Sequence, residues 1–399
     1  MIVALLCILA GIAVGILTGL LPGIHVNLVS ALLVLLAPSL MGIIPLWGIA
    51  LVIISIAITH TFLDAVPSIY LGAPDPAMAA GVLPGHQLLF EGRGYEAVAL
   101  TVVGSLMGLT GTVIFIPLVF PFLGALNDFL KGIMAWLLIA AIVVNVIAEG
   151  RKMGYAVMVV LLSGTLGILV LEWPNLSQPL FPLLSGLFGA STVLLSLSSN
   201  ASPPPQKASD MLEMPKKHNA IVWVAMVIAG STTGLLPGLG SAHAAFLATY
   251  LVGNIARRSF LMLVGGINTV NFLFSLATFA AIDKARNGAV AAVEQLIGSV
   301  SLPLMIGFIG AALTAGGSAA LLTLWCARHA SSLVTRINYR ALCIGVCALL
   351  IVMSVVLSGW WGLLIFIVAT AIGMLSPQLQ IRRTHAMACL MVPVIIYLF

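Results

Sequence analysis

Charge is what this sequence has least of. Only 7% of its residues are Asp, Glu, Lys or Arg, against about a quarter in an ordinary water-soluble domain, whose surface must be polar. That shortage excludes a soluble core-and-surface protein. The 16 basic residues stand singly or in pairs between apolar runs, so the net charge of +5 makes no patch for nucleic acid. Cysteine is sparse as well. Cys7, Cys326, Cys343, Cys347 and Cys389 include no Cys-x-x-Cys pair, which favours packing over a zinc site or a redox dithiol. Catalytic signatures are missing too: there is no His-Glu-x-x-His, no Gly-x-Ser-x-Gly and no pair of carboxylates within one segment. An intramembrane enzyme using His25 or His243 with Ser68 or Ser241 therefore has no motif behind it, and the chain reads as a non-enzyme without a cofactor. Residues 1–21 lack the Lys/Arg-rich start of a signal peptide and read as a retained membrane arm. The short alternating segments of a membrane β-barrel are absent.

What is present is apolar sequence. Hydrophobic residues make up 61% of the chain, and runs of membrane-span length, ~17–25 residues, fit about ten times. The expected fold is an all-α polytopic membrane protein: two inverted-topology repeats, each with a broken or re-entrant Pro-Gly helical hairpin, and about ten transmembrane helices besides the hairpins. One phrase occurs twice: Thr18-Gly19-Leu20-Leu21-Pro22-Gly23 and Thr233-Gly234-Leu235-Leu236-Pro237-Gly238. Each copy lies between two apolar arms. In the first half, the arms are followed by an apolar stretch at 43–58, a polar-punctuated passage from Thr59 to Tyr95, and plainer spans near 96–123, 132–148, 153–171 and 180–198. The only clearly water-soluble linker, 199–219, carries three consecutive prolines and three lysines. After it the pattern restarts, dividing the chain into repeats 1–198 and 220–399.

Loop charges relate the repeats. Basic loops in the first half lie near Arg93 and at Arg151-Lys152. In the second half they lie at Arg328, Arg336 and Arg340 and at Arg382-Arg383, the positions left uncharged or charge-balanced in the first. Placing positive loops inside then requires opposite topology for the halves, with the linker cytoplasmic and both termini outside an inner membrane.

Inverted repeats with helices broken at matching positions are a transporter signature, because the breaks meet near the midplane. A helix restarting after Pro-Gly offers unpaired N–H groups and the positive end of its dipole to an anion. The substrate-binding candidates are therefore Pro22, Gly23, His25 and Asn27 around the first break, and Pro237, Gly238, Gly240, Ser241 and His243 around the second. Ser68, Gly72, Asn268 and Asn271 are candidates from the neighbouring polar stretches. No Lys or Arg lies in either hairpin. Asp64 is the ion-coupling candidate, since a carboxylate within a hydrophobic zone must be paired, protonated or bound to a cation such as Na⁺. The alternative for Asp64 is an interfacial carboxylate pairing with His60, four residues earlier.

These residues resemble the large membrane subunit of the tripartite tricarboxylate transporters (TctA-like), particularly its shorter archaeal-type relatives. The resemblance rests on Gly15-x3-Gly19-x2-Pro22-Gly23, on Pro67-x4-Gly72-Ala73-Pro74-x9-Pro84-Gly85-His86-x5-Gly92-x-Gly94-x-Glu96-Ala97, and on Gly230-x3-Gly234-x2-Pro237-Gly238-x-Gly240. It implies ion-driven secondary transport of a di- or tricarboxylate across the inner membrane by alternating access, with a small membrane subunit and a periplasmic binding protein as partners. The plainer spans would then form a scaffold or a homodimer interface. The Pro-Gly hairpins are also similar to those of polyprenyl-phosphate translocases, which makes a lipid-carrier flippase the alternative function.

Overall fold

A computed structural model describes the chain apart from residues 1, 22–25, 73–77, 79–80, 175, 177, 199–203, 208–218, 236–240, 254 and 335–338. For several helical residues, His243 among them, it describes the backbone alone. Every regular element among the described residues is helical. Seven helices there are long and apolar enough to cross a membrane, and shorter apolar helices accompany them. The chain is an all-α polytopic membrane protein.

The first half begins with α1 (Ile2–Leu20), returns through α2 (Val26–Leu40) and crosses again in α3 (Leu46–Leu63), which passes through Asp64 into α4 (Ala65–Tyr70). Then come α5 (Val82–Phe90), α6 (Gly94–Val119), α7 (Leu123–Ile147) and α8 (Met153–Leu171). A last rod joins α9 (Leu180–Leu184) to α10 (Ser191–Ser198) through a π-helical stretch, Ser185–Ala190. The second half restates the order with α11 (Asn219–Leu235), α12 (Ser241–Val252), α13 (Arg257–Ile282), α14 (Gly288–Ile297) and α15 (Leu302–Val334). It closes with α16 (Tyr339–Gln378), a 3-10 segment, Arg383–Met387, and α17 (Ala388–Leu398).

Glycine spacing explains the central packing. Gly11, Gly15 and Gly19 recur every four residues and so share one face of α1. A Cβ at Gly11 would stand 2.6 Å from the Val52 carbonyl oxygen, one at Gly15 3.0 Å from that of Ile56, and one at Gly19 3.4 Å from the Asp64 nitrogen. Contacts advance in the same direction along both helices, so α1 and α3 run parallel and α2 is the return arm. α11 lies on α13 in the same way, Gly230 against Ile267 and Val270, and Gly234 against Asn271, Phe274 and Ser275. Between apolar helices in lipid there is no hydrophobic drive to associate, and close backbone approach through small residues supplies the attraction instead. α6 and α13 meet likewise at Gly104, Gly108, Gly265 and Gly266.

α3 stays helical past the apolar stretch at 43–58, through Thr59, His60 and Thr61. His60 and Thr61 are tolerated because their side chains find partners inside the bundle. Thr61 Oγ1 donates to the Ile58 carbonyl at 2.8 Å, and the His60 ring meets Thr18 of α1 at 3.2 Å. The break comes at Asp64 instead, because Pro67 has no N–H to give the Leu63 carbonyl.

α16 is two helices. Gly359 takes φ 64°, ψ −160°, and the second leg runs antiparallel to α8, with Trp361 beside Trp173 at one end and Gln380 beside Lys152 at the other. The expected spans 341–358 and 360–375 are its two legs.

Most loop charge lies at one face. Arg93 and Arg258 hold Glu96 from two sides, Arg257 reaches Glu91, and Arg328 lies over the Tyr95 ring. The α16 reversal places Arg340, Lys152, Arg382 and Arg383 at the same end. α3–α4 arrives at this basic face, where the Tyr70 hydroxyl bonds Ser331 and the Ala327 carbonyl. α13 departs from it. The first hairpin therefore enters from the opposite face and the second from the basic face.

Two groups of helices result. α1–α6 and α11–α15 pack into a central bundle around α3, α6 and α13, while α7–α10, α16 and α17 pack mainly on one another. The second group exposes large apolar side chains such as Trp136, Leu161, Val356 and Trp360, as lipid-facing helices do.

Candidate functional site

The glycines that precede the two Pro-Gly phrases lie beside one buried polar chain. Gly19, just before the first tip, abuts Asp64, and Gly234, just before the second, abuts Ser275. Asp64 lies about 9 Å short of the end of α4, and Ser275 about 10 Å short of the end of α13, at ~1.5 Å per residue. Gly19 and Gly234 thus lie inside the bundle rather than at a surface.

Across this region Asn268 Nδ2 donates to Asp64 Oδ2 at 2.9 Å. Ser241 Oγ, on the first residue of α12, donates to Asn268 Oδ1 at 3.2 Å and accepts from Asn271 Nδ2 at 3.3 Å. The donors all point one way: the Asn271 amide to the Ser241 hydroxyl, that hydroxyl to the Asn268 carbonyl, and the Asn268 amide to the carboxylate. Such a sequence suits an ionised Asp64, which can only accept. Asp64 is only 1% exposed, so a negative charge there would rest on amide dipoles in a water-poor setting, where a neutralising cation or proton is worth more than at a surface.

Neighbouring bonds fix the frame. Ser68 Oγ donates to the Asp64 backbone carbonyl at 2.7 Å, and Thr61 meets Thr269 across the α3–α13 contact at 3.3 Å. Thr278 Oγ1 reaches the Gly234 carbonyl at 3.2 Å. Thr18 Oγ1 spends its one proton on the Gly15 carbonyl, so at His60 it is the acceptor and the ring carries its proton on Nδ1.

The structure brings Asp64, Ser68, Ser241, Asn268 and Asn271 together. Asn27 stands apart at the exposed start of α2, with its carboxamide against Gly288 at the start of α14. Gly72 is also separate, buried at φ +66° beside the His86 ring. Pro22, Gly23, His25, Pro237, Gly238 and Gly240 lie outside the described residues, as does the side chain of His243. No group of three His, Cys, Asp or Glu side chains suited to a metal ion occurs among the described residues.

Two further polar groupings lie toward the basic face. Glu149 accepts from the Arg382 N–H at 3.0 Å and meets the His385 ring at 3.0 Å. Burial pushes its carboxyl up, but the bonds from Arg382 and His385, with their positive charge, outweigh it and hold the carboxyl below its ordinary value. The other grouping gathers Gly72 and His86 of the central bundle with Thr192 and Arg383 of the outer one. The sequence singled out His86 within a longer motif but gave no local sign of its closeness to Arg383, nearly 300 residues away.

Compared with known proteins, residues 5–388 match the family model described as the Tripartite tricarboxylate transporter TctA family. The chain is also 27% identical over 408 aligned positions to an uncharacterised protein of Methanocaldococcus jannaschii, covering 98% of each chain. No solved structure matches it.

Proposed function

The chain belongs to the tripartite tricarboxylate transporter TctA family, and from that premise we propose that it is the large membrane subunit of an ion-coupled carboxylate transporter. In this reading a di- or tricarboxylate crosses the inner membrane by alternating access, with Na⁺ or H⁺ as the coupling ion at Asp64. The observation that carries it is the meeting of two oppositely entering hairpins at the chain Asp64–Asn268–Ser241–Asn271. Broken helices that end at mid-depth give a site reachable from either face once the surrounding bundle shifts. A cation or proton on Asp64 removes a buried negative charge that would repel an anionic substrate, which is the simplest physical form of symport.

The division into a hairpin-bearing central bundle and an outer bundle supports movement of the first against the second. Pro22, Gly23 and His25 of the first Pro-Gly phrase and Pro237, Gly238, Gly240, Ser241 and His243 of the second would line the path with Asn268 and Asn271. The repeats 1–198 and 220–399 are the two pseudo-symmetric units of this machine, joined by the linker 199–219. Positive loops on the cytoplasmic side put that linker inside and both termini outside. A small membrane subunit and a periplasmic binding protein are the partners the family name implies, and the outer bundle offers a surface for a homodimer.

Uptake by proteoliposomes tests this. Labelled citrate or succinate should accumulate when a Na⁺ or pH gradient is imposed and only equilibrate when it is collapsed. Absence of uptake of every di- and tricarboxylate, with and without the partner subunits, would overturn the reading.

A further inference from the structure

Neither hairpin contains a Lys or Arg, and the polar chain at the tips ends on a carboxylate. A multiply charged anion crossing this protein therefore needs its positive counter-charge elsewhere. Arg383 is placed to provide it. It starts the 3-10 segment that leads into α17, and its guanidinium is half-buried rather than free in solvent. Among the described residues its one hydrogen-bond partner is the neutral Thr192 hydroxyl, and no carboxylate pairs with it. A guanidinium has five N–H donors in a planar fork that matches a carboxylate, so most of that fork is unused.

His86 lies nearby. Its ring is 3% exposed and both ring nitrogens lack a hydrogen-bond partner, which is unusual, because buried polar groups are almost always paired. The Arg383 charge is near enough to act on this ring. Gly72 closes the other side: a Cβ there would sit 2.5 Å from His86 Nε2 and 3.3 Å from the Val193 side chain, next to Thr192. Glycine at φ +66° is what lets the chain pass this close to the ring.

From these juxtapositions we infer that Arg383, His86 and Thr192, with Gly72 packed against the His86 ring, form a carboxylate-docking site on the basic-face side of Asp64. The guanidinium takes one carboxylate of the substrate through its free N–H groups, and His86 donates one N–H to it. The site lies about 12 Å from Asp64 along α4, at ~1.5 Å per residue, so the anion and the coupling cation are recognised at separate stations. Two of its members belong to the central bundle and two to the outer one, and an anion seated there joins the two bodies, so its affinity depends on how they sit together. The carboxylate identity of the ligand rests on the transport reading; the anion site itself does not.

The test is calorimetric binding of citrate, succinate and inorganic phosphate to the full-length protein in nanodiscs, with melting temperature and gel filtration reporting intactness. Arg383→Gln should weaken the bound anion roughly 30-fold or more, and Thr192→Val about threefold, while Arg383→Lys, which keeps the charge but loses the fork, falls between. Arg257→Gln, which removes a basic-face charge outside the site, should leave affinity unchanged. Should Arg383→Gln fail to fold, Thr192→Val and Arg383→Lys carry the comparison. An intact Arg383→Gln that binds citrate as well as the unaltered protein overturns the site and leaves the transport reading standing. Phosphate bound in an Arg383-dependent way, with no carboxylate bound, upholds the site and overturns the carboxylate reading. No binding of any of the three anions to the unaltered protein overturns the site.

Discussion

The helix pairs that carry the two hairpins, α1 on α3 and α11 on α13, share a backbone and differ in chemistry. Gly15 and Gly19 lie on α3 as Gly230 and Gly234 lie on α13, and Thr18 and Thr233 each bond back to the glycine carbonyl three residues earlier, at 3.1 and 3.0 Å. Where Gly19 meets Asp64, however, Gly234 meets Ser275, and where Gly19 meets His60, Gly234 meets Asn271. The frame has kept its pseudo-symmetry because any Cβ in the packing stripe collides with the facing helix. The side chains beyond the stripe carry no such constraint, and only the first half places an ionisable pair, His60 and Asp64, beside its tip.

The largest effects should fall equally on both pairs. Gly15→Leu and Gly230→Leu each force bulk into a helix contact already at 2.6–2.7 Å from a neighbouring Cβ, at a cost of about 3 kcal/mol, read as lost folded yield and a lower melting temperature. If one is tolerated and the other is not, the shared frame is not the common support described above.

Next in size is a change that should split the pairs. Asp64→Asn should abolish gradient-driven accumulation in proteoliposomes while leaving the protein folded, whereas Ser275→Ala should leave accumulation nearly intact. The exchanged double variant, Asp64→Ser with Ser275→Asp, should not restore coupling, because Asn268 donates toward the Asp64 side. Restored accumulation would mean that the carboxylate works from either half.

Much of this was legible in the residues. The Pro-Gly phrases marked both breaks, hydropathy gave the spans, and exchanged loop charges announced opposite entry of the hairpins. Asp64 stood out as a carboxylate in an apolar zone. Its partner did not, because the Asp64–Asn268 bond joins residues 204 apart and depends on where α3 crosses α13, a crossing set by Gly11, Gly15 and Gly19 on one helix pair and by Gly104 and Gly265 on another. The same limit hid Arg383. Counted along the sequence it was a loop charge that oriented the chain, and only the packing of α10, α5 and the 3-10 segment brings it beside His86. The helical run through Thr59, His60 and Thr61 was also hidden, since polarity there resembles a loop until Thr18 is seen to accept from His60.

A moderate effect should follow removal of an amide. Asn268→Ala takes away the donor to a buried carboxylate and should cost about 2 kcal/mol, whereas Asn271→Ala removes a neutral bond to Ser241 and should cost about 1 kcal/mol, both read from melting temperatures in detergent. Equal losses would mean that Asp64 is not charged in the folded protein.

The smallest effect separates the two threonines that look alike. Thr233→Val gives up a bond to its own helix, one that competes with the helix ladder rather than adding to it, and should cost no more than about 0.5 kcal/mol. Thr18→Val gives up the same bond and also the acceptor of the His60 Nδ1 proton. Valine fills the space of threonine but offers a methyl where the ring points, so the added cost is the desolvation of that N–H, about 1 kcal/mol. The ring is then free to turn or to take the other tautomer, four residues before Asp64, and ion dependence of uptake should shift in Thr18→Val but not in Thr233→Val. An unchanged ion dependence in both would reduce His60 to a packing residue and leave Asp64 as the ionisable group that sets the first helix pair apart.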